Sequence, residues 1–245
     1  MLRTRNHGLQ KRRVALTGVF LVWSLAMGVR TVRGAEPYSI EPVQLQASAD
    51  LPQSVAGSLN PKGSRIFTYS SGLKMSVCEI FWATTVSAQD NRPGPGRASY
   101  GNLKPGTLIG VIRFLPEAGE EYREDSRDHK LKPGYYTMRY AALAGSDASD
   151  FILLSPASAD LDPKAVLSVD QLTRQGRLAS GTDEPAILRL VPAEEGNKDL
   201  PSVRMDEGGT CIMQVRLRAK SSNNSAHEFD LAVILVNPIP EDDGS

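Results

Sequence analysis

The residues with chemistry to offer are few. His129 sits among Glu124, Asp125 and Asp128, and His227 stands beside Glu228 and Asp230. A histidine with carboxylates is the donor set of a transition-metal site or of an acid–base pair. Neither group has the helical two-histidine spacing of a hydrolytic zinc centre, so a charged surface loop explains each as well. If the chain were a hydrolase or metal enzyme of unfamiliar type, His129 with Asp125 and Asp128 would be its set. Ser71-Gly72-Leu73-Lys74 matches the S-x-x-K spacing of penicillin-recognising enzymes, where the serine opens a helix. Here the segment leads into apolar, β-forming sequence, and the companion S-D-N and K-T-G motifs are missing. Gly94-Pro95-Gly96-Arg97 has the glycines of a phosphate loop, but its prolines remove N–H donors and no helix pattern follows. Asp147, Asp150, Asp160 and Asp162 are acids at loop ends without an EF-hand pattern, so cap and turn roles explain them as well as calcium. No G-x-S-x-G elbow is present, and no cofactor is implied.

Binding chemistry has better candidates. Tyr135 and Tyr136 follow a Pro-Gly turn and point to opposite faces if extended. One is expected to pack inside with its hydroxyl bonded to turn backbone, and the other to offer a platform. Arg92 and Arg97 lie in the Pro/Gly-rich loop at 90–97, and Arg123 in the charged connection at 119–130. Loops on a rigid scaffold commonly carry recognition. Cys78 and Cys211 lie in apolar strand-like segments far apart in sequence. An oxidising compartment would permit a bridge between them, and pairing is the expectation; two buried free thiols are the alternative.

The elements that must position these residues read as strands. Segments 38–46, 65–69, 73–86, 107–115, 135–143, 151–154, 186–191, 210–218 and 229–236 are rich in β-branched and aromatic residues. Pro42 limits the first to a sheet edge. Segment 73–86 is apolar on both faces, which suits a central strand. Along 210–218, Cys211, Met213, Val215 and Leu217 share one face while Gln214, Arg216 and Arg218 share the other. The phrase Leu-Lys-Pro-Gly occurs at 103–106 and again at 131–134, each time before a strand, and reads as a type II turn. Asp162 and Pro163 open one helix, expected over 163–174. The fold class is therefore mainly β: an antiparallel β-sandwich with one inserted helix, or alternatively a β-barrel.

The N-terminus bounds the setting. Arg3, Arg5, Lys11, Arg12 and Arg13 precede an apolar run, and small residues follow at Gly34 and Ala35. That is a secretory signal over residues 1–35, with Arg12-Arg13 also allowing a twin-arginine route and an uncleaved anchor as the alternative. Residues 36–240 form a single β domain, and 241–245 a disordered tail. Of the 28 Lys and Arg, seven lie in the first 35 residues, which hold no acid. The remaining 21 face all 28 Asp and Glu, so the mature domain is acidic and nucleic acid is a poor partner.

Five phrases carry a resemblance: Val77-Cys78-Glu79-Ile80-Phe81-Trp82, and the segments 106–114, 131–141, 150–156 and 180–190. Together they resemble an uncharacterised family of exported bacterial β-rich proteins. The resemblance implies export and a β fold, and brings no activity or site residue with it. The functional expectation is an exported, periplasmic or extracellular, non-catalytic domain that binds a protein or envelope ligand. A secreted hydrolase or metal-dependent enzyme and a purely structural envelope component are the alternatives.

Overall fold

A computed structural model describes residues 37–70, 73–89, 100, 102–115, 123–142 and 150–236, all within the unit that runs from Ala35 to Ser245. Residues 1–35, where a signal is expected, Ser71-Gly72, the loop with Arg92 and Arg97, residues 116–122, Asp147 and the C-terminal residues 241–245 lie outside the described residues.

The β-forming segments become strands: β1 (Tyr38–Gln44), β2 (Lys62–Ser70), β3 (Leu73–Trp82), β4 (Val86–Ser87), β5 (Leu108–Phe114), β6 (Arg123–Glu124), β7 (Lys130–Leu131), β8 (Gly134–Ala141) and β9 (Phe151–Pro156). After them come β10 (Ile187–Val191), β11 (Ser202–Met205), β12 (Cys211–Lys220) and β13 (Ala226–Val236). Two helices, α1 (Gln53–Ala56) and α2 (Val169–Ser180), complete the described elements with one 3₁₀ turn at Ala157–Ala159. The main sheet has 11 strands, in the order β1-β2-β3-β5-β8-β9-β10-β13-β12-β11, with β4 parallel to the end of β12. The hairpin β6-β7 stands apart. β1 ends the sheet, as Pro42 requires, because a proline cannot donate to a second neighbour.

The expected two-sheet sandwich is not what forms. The domain is mainly β, but it is one mixed, strongly curled sheet, a half-barrel. β10 is the reason. Its Ile187, Leu188 and Arg189 pair with β9, while Leu190 and Val191 pair with β13. The ladder therefore passes through β10 without the break that would separate two sheets. Register shifts at Ile66/Phe67, Leu108/Gly110 and Cys211/Ile212 add local twist and help the sheet to curl. The two ends of the sheet, β1 and β11, come into contact. The Tyr38 hydroxyl reaches the Gly209 carbonyl at 3.5 Å across that seam.

The curl encloses one main core. Ile66, Ile80, Ile112, Met138, Ile152, Leu188, Met213 and Val233 point into it and are buried. Two smaller patches lie on the outer face. α1 sets Val55 over Phe81, Val111 and Tyr135, and α2 sets Leu172 with Leu153 and Ile187. β3, β5 and β8 are thus covered on both faces, which is why their sequences are almost continuously apolar. Leu172 is fully buried, and truncating it to Ala would cost about 2–5 kcal/mol.

The helix is displaced from its expected place at 163–174. Asp162 caps only a turn, its carboxylate accepting from Lys164 N and Ala165 N. The true start is Ser168, whose hydroxyl accepts from Gln171 N while the Gln171 side chain accepts from Ser168 N. This reciprocal capping box is the stronger signal. The helix runs through Gly176 and stops at Gly181, which adopts φ +67°. The two Leu-Lys-Pro-Gly phrases also diverge. The first is a type II turn, with Gly106 at φ +89° and Thr107 N bonded to Lys104 O at 3.1 Å. The second carries Gly134 at φ +150° as the first residue of β8 and is not that turn.

Candidate functional site

The expected aromatic platform is occupied by the fold itself. A row of facing residues crosses five strands: Glu41 to Arg65, Arg65 to Glu79, Glu79 to Arg113 and Arg113 to Tyr135. Glu79 is 3% exposed and takes Arg65 Nε at 2.9 Å on one oxygen and Arg113 Nη1 at 3.2 Å on the other. Arg113 in turn stacks over the Tyr135 ring, 5.1 Å from its centre. Two cations compensate one buried carboxylate, which is the condition for burying it. Tyr135 is buried beneath this row, and Tyr136 is buried on the opposite face. The Tyr136 hydroxyl donates to Lys132 O at 2.8 Å, the turn-backbone bond the sequence suggested for one of the pair. Burial pushes both phenols above their ordinary pKa. Neither ring is a free platform. Arg123 turns toward the sheet and donates to Ser76 O at 3.5 Å.

His129 and Asp125 do come together. The His129 Nδ1 lies 3.0 Å from Asp125 Oδ2, and Nε2 lies 3.8 Å from a Glu184 carboxylate oxygen. The same Asp125 also accepts from Arg127 N, His129 N and Ile187 N, all at 2.8–2.9 Å. Three of these bonds to the buried carboxylate close the turn of the β6-β7 hairpin, and the fourth, from Ile187 N, fastens it to β10. A catalytic base would present its second nitrogen to a nucleophile or substrate; here that nitrogen faces another carboxylate. Asp128 is exposed and adopts φ +62° in the turn between the two strands. Among the described residues no group of three or more His, Cys, Asp or Glu is placed to hold a metal. His227 is on β13 rather than in a loop, with its ring 6.4 Å from that of Phe229.

The remaining candidates are spoken for. Cys78 and Cys211 are both free thiols, fully buried in the main core, so the expected bridge is not formed. Burial drives the Cys78 thiol well up and pushes Cys211 up to about 12. Asp160 pairs with Arg139, Asp162 caps its turn, and Asp150 accepts from the Tyr140 hydroxyl at 2.6 Å. Lys74 pairs with Glu41 and lies 4.0 Å above the Phe67 ring.

What sequence reasoning missed is the seam. A cavity of about 570 Å³ opens between the middle of β1, the start of β2 and the middle of β12. Trp82 contributes to its wall, and its indole nitrogen is buried without a hydrogen-bond partner. Lys62, Arg216 and Arg218 line it. Arg216 is held by Asp230 at 2.8 and 3.1 Å. No hydrogen bond or ion pair to another described residue engages the side chain of Lys62 or Arg218. The backbone is as unusual as the charge. β11 pairs with β12 up to Gln214, and β4 resumes on the same edge at Ala219. Residues 215–218 between them have no strand neighbour on that edge among the described residues. The Lys220 carbonyl accepts from Ala88 N on this edge. By the two-residue repeat of a strand, the N–H and C=O of Arg218 and Arg216 point the same way. Arg216 and Arg218 were legible as an alternating exposed row. That the sheet would curl and leave a gap beside them was not. A second cavity, about 310 Å³, lies between Thr84, Thr107 and the turn at Pro163; its lining is rich in hydroxyls with Lys164 as its one ionisable group.

Comparison with known protein families, with curated proteins and with solved structures gives no match.

Proposed function

We propose that this is an exported, non-catalytic β domain of the bacterial envelope or exterior that binds a partner at the seam of its curled sheet. The observation that supports this is the seam cavity. It joins an unpaired stretch of strand, two unpaired cations and a tryptophan wall. The groups with catalytic potential are committed elsewhere: Asp125 and His129 to the hairpin, Glu79 to its two arginines, both cysteines to the core. The resemblance to exported β-rich proteins and the N-terminal signal pattern support the location.

Two measurements test the reading. Intact mass of the exported protein should place its first residue at Ala35 or Glu36, and a full-length membrane species would defeat cleavage there. Purified mature domain should turn over no ester, glycoside or peptide substrate. Turnover abolished by His129→Ala would return the hydrolase reading to first place.

A further inference from the structure

Resting on that reading, we infer the ligand class: the seam takes a short extended peptide with acidic side chains at alternate positions, added as a strand along the free edge of β12. Three observations converge. First, residues 215–218 form a gap in an otherwise occupied edge, with β11 antiparallel on one side and β4 parallel on the other. Four residues of strand span about 13 Å, and a free edge of that length is what strand addition uses. Its unpaired donors and acceptors are those of Arg216 and Arg218. The cavity in front of them gives an incoming backbone room.

Second, the side chains on the edge are cationic and alternate. Arg216 and Arg218 are exposed on one face of β12, while Val215 and Leu217 are buried. A neighbouring strand places its own i and i+2 side chains opposite such a pair. β13 already does this from the other edge, setting Asp230 opposite Arg216 and Glu228 opposite Arg218. A ligand with Asp or Glu at alternate positions would repeat the pattern on the open edge, with Lys62 and Arg218 as the cations still unpaired. An acidic domain that keeps unpaired cations beside this strand gap selects an acidic partner over a basic one.

Third, the β1 side limits what else can enter. Pro42 lines the cavity and offers no N–H, so an incoming strand finds its ladder on β12.

The site carries its own reporter. Trp82 is the single tryptophan of the mature domain, because Trp23 falls in the leader. Mature protein is titrated with a synthetic decapeptide of alternating Glu and Val, read by Trp82 emission and by calorimetry. The lysine–valine version of the peptide should not bind. Methylating the backbone nitrogens of the residues whose N–H groups face β12 should abolish binding, while methylating the alternate nitrogens should spare it. In protein carrying Lys62→Glu and Arg218→Glu, both exposed positions, affinity should fall about tenfold or more with the melting temperature little changed. Arg218→Pro, which removes one edge N–H, should weaken binding while leaving the far edge paired with β13. Failure of the acidic peptide to bind overturns the inference. So does binding that ignores the charge reversals, or that both methylation patterns affect equally; the latter would mean a charge site without strand addition. Sulfated dextran bound with the same sensitivity to the variants would overturn it in the same way. None of these outcomes bears on turnover, so the non-catalytic reading stands or falls by its own assay.

Discussion

Arg139 and Asp160 form a closed pair inside the protein: the guanidinium lies on the carboxylate at 2.6 and 2.7 Å, with the two residues 0% and 2% exposed. The other donors reach Gly106 O and Ala165 O at 2.7 Å and Asp162 O at 2.9 Å. All five N–H groups of the arginine are therefore used. One side chain on β8 fixes the type II turn at Gly106 and the whole 160–165 connection.

Removing the acid alone should be severe. Asp160→Ala leaves a buried cation with only carbonyl partners, and unfolding in urea should show a loss of about 3–5 kcal/mol. Replacing the pair together, Arg139→Met with Asp160→Leu, often rescues a buried ion pair. Here it should rescue only part, because Ala165 O would lose its partner, while Gly106 O and Asp162 O would keep only their backbone bonds from Leu167 N at 3.3 Å and Ala165 N at 3.2 Å. A double variant as stable as wild type would show that those three bonds contribute nothing.

The thiols make a prediction with a definite sign. Cys211 titrates near 12 in the fold against 9.0 for an ordinary thiol, and Cys78 is raised as well. Above pH 9 the unfolded chain loses these protons while the folded chain keeps them. Stability should therefore be intact below about pH 9 and fall as pH rises toward the folded value, by about 1.4 kcal/mol per pH unit for each thiol. Buried tyrosines add the same sign above pH 10. Urea midpoints at pH 8 and pH 10 should differ in wild type and differ less in Cys211→Ala. A thiol reagent should find no reactive cysteine in native protein and two per chain in denaturant.

Asp125 and His129 should separate by stability. Asp125→Ala breaks four bonds and should cost about 2–4 kcal/mol. His129→Ala breaks one of them and should cost about 1 kcal/mol. Equal effects would mean that the histidine, not the backbone donors, makes the carboxylate necessary.

Gly176 tests two opposing terms. Alanine in a helix interior normally gains about 1 kcal/mol over glycine. At Gly176 a Cβ would meet Leu153 Cδ2 at 2.5 Å and Pro185 Cβ at 2.6 Å. Overpacking costs about 1–3 kcal/mol. Gly176→Ala should therefore lower the melting temperature, and a rise would show that Leu153 and Pro185 yield.

The strands were legible because each announces itself in its own residues. Pro42 marked an edge, and the two-sided apolar run of β3 marked an interior strand. The Cys211-to-Leu217 alternation marked a half-buried one. The helix was misplaced because Asp162-Pro163 imitates a start that Ser168 and Gln171 make. β11 was missed since Ser202–Met205 is short and weakly patterned. The seam was illegible for a different reason. Its cations are local, but the gap beside them depends on where β11 stops and β4 begins, and on how far the sheet curls. The role of Tyr135 was hidden likewise, because Arg113 is its neighbour only through the register of β5 with β8.

The shared strand β10 has a consequence for timing. Its first half completes a ladder with β9, and its second half can be completed only by β13, the last strand described. No early portion of the chain can close as a stable intermediate with all its hydrogen bonds made. Synthesis that halts before residue 226 leaves β10 half paired and β12 without its long partner. The domain should accordingly assemble late and as one cooperative unit, with slow non-local closure setting its rate.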